Sequence, residues 1–125
     1  MRKQVERQLV EIPILDKINS DREFYCVKLR NVGSLKDGKF IKLPYGCAKG
    51  IADLLVMHNG ISFFIECKAP NGKQSDDQKK FEAAIRKRGI RYYLVRDVSE
   101  VDAIMQEMKT YAQHIQDCLC DQRNH

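Results

Sequence analysis

A chain of 125 residues, 43% of them hydrophobic, fits one compact domain that can bury a core without help from disulfides or a structural metal. Its longest apolar runs, Ile51 to Met57 and Ile61 to Ile65, are far too short to span a bilayer, and the first residues lack the apolar stretch of a signal peptide, so no membrane partner or export is expected. Twenty-two basic against 17 acidic residues leave a net charge of +5, compatible with a polyanionic partner, and five cysteines without paired spacing read as thiols in a reducing cytoplasm.

Residues 3 to 19 predict a helix with Val5, Leu9 and Ile12 on one stripe, in which Pro13 must start a new turn or kink the axis. Phe24 to Arg30 predicts a strand, Lys36-Asp37-Gly38-Lys39 a turn into a second extended piece at Phe40 to Leu43, and Pro44 to Gly50 a loop. Ile51 to Met57 and Ile61 to Lys68 are strand-like runs on either side of His58-Asn59-Gly60. A two-residue turn at Asn59-Gly60 pairs His58 with Ile61 and sets Asp53 directly opposite Glu66. Alternation then places Asp53, Leu55, Met57, Ser62, Phe64, Glu66 and Lys68 on one face, and Ala52, Leu54, Val56, Ile61, Phe63, Ile65 and Cys67 on the other. Both faces are mostly apolar, which predicts central strands covered on both sides.

Ser75-Asp76-Asp77-Gln78 has the form of a capping box, and Phe81, Ala84 and Ile85 continue an apolar stripe until Gly89 stops the helix. Ile90 to Val95 predicts another strand. Ser99 is placed to cap a long helix with the stripe Val101, Ile104, Met105, Met108, Ala112 and Ile115, which should cover one sheet face. The order of elements describes one α/β domain over residues 1–125, with an acidic helical tail over 99–125.

Charge is unevenly spread along this order. Residues 73 to 96 hold eight basic groups against three acidic, whereas residues 97 to 125 hold two against six, so the tail should face away from any nucleic acid. Lys49, Lys73, Lys79 and Lys80 could contact phosphates, although a solvated charged face explains each of them equally well. Tyr92 and Tyr93 are adjacent in a strand, point to opposite faces, and read as packing residues. Of His114, Cys118, Cys120 and His125, only His114 and Cys118 share helical spacing, so a frayed acidic tail is expected there rather than a zinc site.

Two opposed carboxylates repel each other, and Lys68 alone does not explain why Asp53 and Glu66 sit among Leu55 and Phe64. A divalent cation explains the pair, since magnesium prefers a few carboxylate oxygens plus water and phosphate. A buried Asp/Glu/Lys ion network fits the spacing as well.

The residues themselves resolve this choice. Gly50-Ile51-Ala52-Asp53, then Ile65-Glu66-Cys67-Lys68, then Ser75 to Gln78 and Phe81, resemble the PD-(D/E)xK nuclease superfamily and, within it, the VRR-NUC family of virus-type replication and repair nucleases. The resemblance spans Val5 to Val101, and one departure from it is Ala52, which stands where the superfamily's name has proline. It implies a restriction-endonuclease-like α/β fold, a central mixed sheet flanked by helices. It further implies a Mg2+-dependent DNA endonuclease, with Mn2+ as substitute. Asp53, Glu66 and the backbone carbonyl of Cys67 would be metal ligands and Lys68 the catalytic lysine. Gln78 matches the family's helix glutamine, and Glu6 matches an acid on its first helix, where Glu11 and Asp16 are competing candidates. Branched DNA such as a Holliday junction is the implied substrate. Flap, single-strand or nonspecific cleavage is the alternative, and an inactive nucleic-acid-binding module a further one. Two symmetric incisions by a domain with one carboxylate pair imply a homodimer. A bacterial or virus-infected cytoplasm is the expected compartment.

Overall fold

The computed structural model describes residues 2–29, 34–36, 39–41 and 49–123. The expected turn at Asp37 and Gly38, residues 44–48 of the expected loop and His125 lie outside the described residues. The strands are β1 (Tyr25–Lys28), β2 (Ser34–Lys36), β3 (Lys39–Ile41), β4 (Leu54–His58), β5 (Ile61–Cys67) and β6 (Arg91–Val95). Four of them form a mixed sheet in the order β1-β4-β5-β6, and β2 and β3 pair separately as an antiparallel ribbon.

The β4–β5 hairpin is the centre of the sheet, and its register is the one the Asn-Gly turn dictates. His58 pairs with Ile61 and Leu54 with Ile65. Asn59 and Gly60 have φ of 44° and 81°, the double left-handed conformation whose twist matches that of antiparallel strands. β6 runs parallel to β5, with Phe64 beside Tyr92, so the chain must cross over between them. Helix α3 (Asp76–Lys87) makes that crossover and starts at the expected capping box: Ser75 Oγ accepts from the Gln78 N–H, and Gln78 Oε1 accepts from the Ser75 N–H.

The first helical stretch departs from its expected stripe. It runs as α1 (Arg2–Val5), a π-helical segment Glu6–Glu11, and α2 (Ile12–Asn19). The Ile12 N–H donates to the Arg7 carbonyl five residues back, and this wider turn precedes Pro13, whose missing N–H falls in the first turn of α2. Val10, Ile14 and Ile18 are buried, while Val5, Leu9 and Ile12 are 41%, 66% and 39% exposed. The π segment shifts the helical phase, and the spacing of four from Val10 to Ile18 is what reaches the sheet.

α4 (Val101–Arg123) is capped by Asp97 rather than Ser99. The Asp97 carboxylate accepts from the Ser99 N–H at the start of a short 3-10 turn, Val98–Glu100. Val101, Ile104, Met105, Met108 and Ala112 are buried as expected, but Ile115 is exposed. The acidic tail is helical through Arg123, with residues 113–123 exposed along its length.

One core joins these elements. Leu54, Val56, Phe63, Ile65 and Cys67 on one sheet face pack with Val10, Ile14 and Ile18 and with Val101, Ile104, Met105 and Met108. Each fully buried aliphatic side chain in such a layer contributes roughly 1.5–3 kcal/mol. The opposite sheet face is covered less completely than the sequence predicts. Phe81 of α3 meets Phe64 edge-on at 5.2 Å, yet Leu55, Met57 and Phe64 keep part of their surface and α3 buries no residue fully. No described helix is long and apolar enough to cross a membrane.

Candidate active site

The partly covered face carries Asp53, Glu66 and Lys68. Asp53 lies one residue before β4, and the approach to it is fixed by Gly50. With φ of +72°, Gly50 packs so tightly on the first turn of α3 that a Cβ there would stand 2.3 Å from the Asp77 carbonyl carbon. Only glycine meets both conditions, and the contact sets the chain leading into Asp53 against the turn that carries Gln78. The Asp53 carbonyl then accepts from the Leu29 N–H at 2.7 Å, and its carboxylate accepts from the Cys67 N–H at 2.8 Å across the hairpin.

Glu66 is the best-held side chain of the group and is 1% exposed. The Asp53 carboxylate, held by the Cys67 N–H next along β5, is its acidic neighbour across the hairpin. Gln78 Nε2 donates to Glu66 Oε1 at 3.0 Å, Lys68 Nζ lies 3.9 Å from the same oxygen, and the Tyr92 hydroxyl donates to Oε2 at 3.3 Å. Lys68 is itself only 8% exposed, so the cluster is recessed in the sheet face rather than displayed on it.

Burial and the neighbouring Asp53 charge push the Glu66 carboxyl up to about 9, against the opposing pull of Lys68 and Tyr92. At neutral pH Glu66 therefore keeps its proton when no ion is bound, because a desolvated carboxyl beside another acid resists ionising. Burial likewise raises the Tyr92 hydroxyl, with Glu66 adding to the effect, so the phenol remains a hydrogen-bond donor. The Cys67 thiol is raised by burial and by Asp53, Glu11 and Glu66 nearby, and it points into the core. Cys67 can face the site only through its backbone.

A divalent cation fits this donor set, since its two positive charges would offset a second acid placed beside the buried Glu66. The available ligands are oxygens, which suits magnesium or manganese better than zinc. Among the described residues no group of three or more His, Cys, Asp or Glu side chains forms a site. A cation at Asp53 and Glu66 would thus complete its shell with backbone, water or phosphate oxygens, as magnesium commonly does. His114 and Cys118, 3.8 Å apart, form an exposed pair on α4.

Gln78 does double duty, as capping residue and as a direct partner of Glu66, so its two candidate roles are compatible. Glu6 lies against the turn that follows Lys68, where a Cβ on Gly72 would stand 3.0 Å from its Oε1. Glu11, the rival acid on the same segment, is 6% exposed and ion-paired to Lys28 at 3.2 Å. Lys49, Lys73, Lys79 and Lys80 are exposed, the last two on α3. Several other basic groups of the 73–96 segment are engaged within the fold. Arg86 bonds Glu82 and the Tyr92 carbonyl, Arg91 pairs with Glu107, and Arg96 Nη1 donates to the carbonyls of Ala69, Pro70 and Gly72.

Sequence reasoning missed Tyr92 and Gln74. Tyr93 packs edge-on against Phe63 as expected, but Tyr92 ends at the Glu66 carboxylate, and Gln74 Nε2 donates to the Tyr92 hydroxyl oxygen at 3.1 Å. The available signal was positional: a parallel β6 places Tyr92 beside Phe64, two residues from Glu66 on the same face. With this geometry in view, a comparison with curated proteins gives no match, whereas the VRR-NUC domain family matches over residues 14–99, more than half the chain.

Proposed function

Because the chain belongs to the VRR-NUC domain family, a group of PD-(D/E)xK-type nucleases that generally use divalent metals, we propose that it is a magnesium-dependent DNA endonuclease acting through Asp53, Glu66 and Lys68. The observation that carries this reading is the recessed cluster on one sheet face, with the Asp53 carboxylate on the Cys67 N–H at 2.8 Å, Glu66 buried beside it, and Lys68 Nζ 3.9 Å from Glu66. A buried structural ion network would gain little by burying a second acid next to the first. A cation-binding site requires it.

In this reading Asp53, Glu66 and the Cys67 carbonyl hold Mg2+, for which Mn2+ substitutes. A divalent ion there would offset the negative charge that builds on the phosphoryl oxygens. The Lys68 ammonium orients the attacking water or neutralises the developing charge, and the recessed setting strengthens that interaction. Gln78 holds Glu66 Oε1 in place. The water forms the new P–O bond, the P–O bond to the leaving nucleotide breaks, and a proton passes to the departing oxygen. Glu6 assists from the first helical stretch, against the turn that holds Gly72. Lys49, Lys73, Lys79 and Lys80 bind the DNA backbone, which positions the substrate without reading its sequence.

The substrate of this reading is branched DNA such as a four-way junction, cut by a homodimer of one 125-residue nuclease domain in the cytoplasm. A single carboxylate pair cuts one strand, so two symmetric incisions call for two copies. A panel of four-way junction, flap, single-stranded and duplex DNA, plus RNA, each with magnesium, tests the proposal, with sedimentation of free and junction-bound protein alongside. Preferred junction cleavage by a dimer supports the branched-DNA reading. Equal cleavage of all DNA forms, or a monomer in both states, replaces it with a flap, single-strand or nonspecific nuclease. DNA binding with no cleavage of any substrate leaves the inactive binding module.

A further inference from the structure

We propose that Tyr92 is a positioning residue of the site: its hydroxyl, aimed by Gln74, holds the Glu66 carboxylate in the orientation that receives a divalent cation. The inference rests on the reading of Asp53 and Glu66 as a cation site and adds to it a residue that is not itself a ligand.

The direction of each hydrogen bond follows from what its partners can donate and accept. Gln74 Nε2 lies 3.0 Å from Glu82 Oε1, and a carboxylate only accepts, so the amide nitrogen must face it. That fixes the amide orientation. The same nitrogen lies 3.1 Å from the Tyr92 hydroxyl oxygen and donates its second proton there. A phenol has one proton to give, and with Gln74 donating to its oxygen that proton is directed to Glu66 Oε2 at 3.3 Å.

The tyrosine is anchored at its other end too. Arg86 Nη2 donates to the Tyr92 carbonyl at 2.8 Å, while Arg86 Nε bonds Glu82 Oε2 at 2.8 Å. Tyr92, Gln74, Glu82 and Arg86 thus close a ring of hydrogen bonds that ties β6 to α3 and to the segment before it. Tyr92 is 2% exposed, which shields the ring's contact with Glu66 from competing water. Between them Gln78 and Tyr92 bond both Glu66 oxygens, yet each oxygen has two lone-pair directions, and one on each is left for a cation or for Asp53. Losing the tyrosine hydroxyl would leave Glu66 held from one side only. Outer groups that orient a ligand in this way commonly set metal affinity by about 10–100-fold.

The test uses the full chain and Mn2+ as the probe, with free Mn2+ followed by electron paramagnetic resonance and melting measured in chelator. Tyr92→Phe keeps the ring that faces Phe81 and removes only the hydroxyl. The expected result is Mn2+ binding weakened about tenfold, a melting temperature in chelator close to wild type, and cleavage that recovers towards the wild-type rate at saturating Mn2+. Gln74→Leu leaves Tyr92 in place but unaimed, and should weaken binding in the same direction by a smaller factor. It decides the matter if Tyr92→Phe fails to fold. Wild-type Mn2+ affinity in both variants, or in Gln74→Leu when Tyr92→Phe cannot be folded, would overturn the inference while leaving the nuclease reading intact. A wild-type protein that binds no Mn2+ would overturn the cation site itself, and this inference with it.

Discussion

The proton held by Glu66 gives the cation site a pH dependence of definite sign. Burial and Asp53 raise the carboxyl from an ordinary 4.5 to about 9, so between pH 6 and 8 the ion-free protein keeps it protonated. A divalent cation needs the ionised form, and binding must release close to one proton. Affinity for Mn2+ should therefore rise about tenfold per pH unit from pH 6 to 8 and level off near 9, because one pKa unit corresponds to about 1.4 kcal/mol. The same shift acts on stability. With the folded value above the unfolded one, the folded state binds more protons between 4.5 and 9, so the contribution of Glu66 is fully present below 4.5 and is lost as pH rises towards 9. Glu66→Gln removes the titrating group and should make the ion-free protein more stable at pH 8, by a few kcal/mol at the order-of-magnitude level. Calorimetry of Mn2+ binding in two buffers of different ionisation heat counts the released proton directly. An affinity that is flat from pH 6 to 8 with no proton release would refute the reasoning, as would a Glu66→Gln protein less stable than wild type at pH 8 in chelator.

Asp53→Asn and Lys68→Met should each lower the cleavage rate by on the order of 10²-fold or more while leaving DNA binding largely intact, as titration of a labelled four-way junction would show. Wild-type turnover in either variant removes that residue from the mechanism. Neutralising Lys79 and Lys80 together should weaken binding to every DNA form and flatten the dependence of log K on log salt by up to about 1.8 if both contact phosphate, since each neutralised phosphate contributes roughly 0.9. An unchanged slope assigns both lysines to a solvated face. In urea melts, Ile14→Ala should cost about 2–5 kcal/mol and Leu9→Ala no more than about 0.5 kcal/mol. The reverse order would contradict the helical phase seen here.

The parts of the fold that sequence made legible are those set by local chemistry. The Asn59-Gly60 turn fixes the hairpin register, and through it the approach of Asp53 to Glu66, because a two-residue turn leaves no freedom to slip. The capping box at Ser75 and Gln78 is likewise a matter of adjacent side chains. What escaped depends on features outside any local pattern. The π segment before Pro13 turns the first helix so that Val10, Ile14 and Ile18 face the sheet in place of Val5, Leu9 and Ile12, and α-helical spacing contains no sign of the extra residue. Asp97 displaces Ser99 as the cap because a 3-10 turn precedes α4, and a short polar side chain serves either position. Tyr92 reaches Glu66 only because β6 lies parallel to β5 in a particular register, and Gln74 reaches Tyr92 only because Glu82 and Arg86 fix its amide. Such long-range relations separate a packing tyrosine from one that orients a carboxylate. They also show Arg86, Arg91 and Arg96 engaged within the fold, which a count of basic residues assigns to the surface field.

The proposed cation site at Asp53 and Glu66 ties DNA cleavage to both the ion and the carboxylate. Its most direct test is cleavage of one labelled four-way junction by the wild-type chain in magnesium, in excess chelator, and after magnesium is restored, with Glu66→Gln run in parallel. Cleavage should stop in chelator, return on restoring the ion, and be absent from the variant under all three conditions. Undiminished cleavage in excess chelator, or a Glu66→Gln protein that cuts at the wild-type rate, would contradict it.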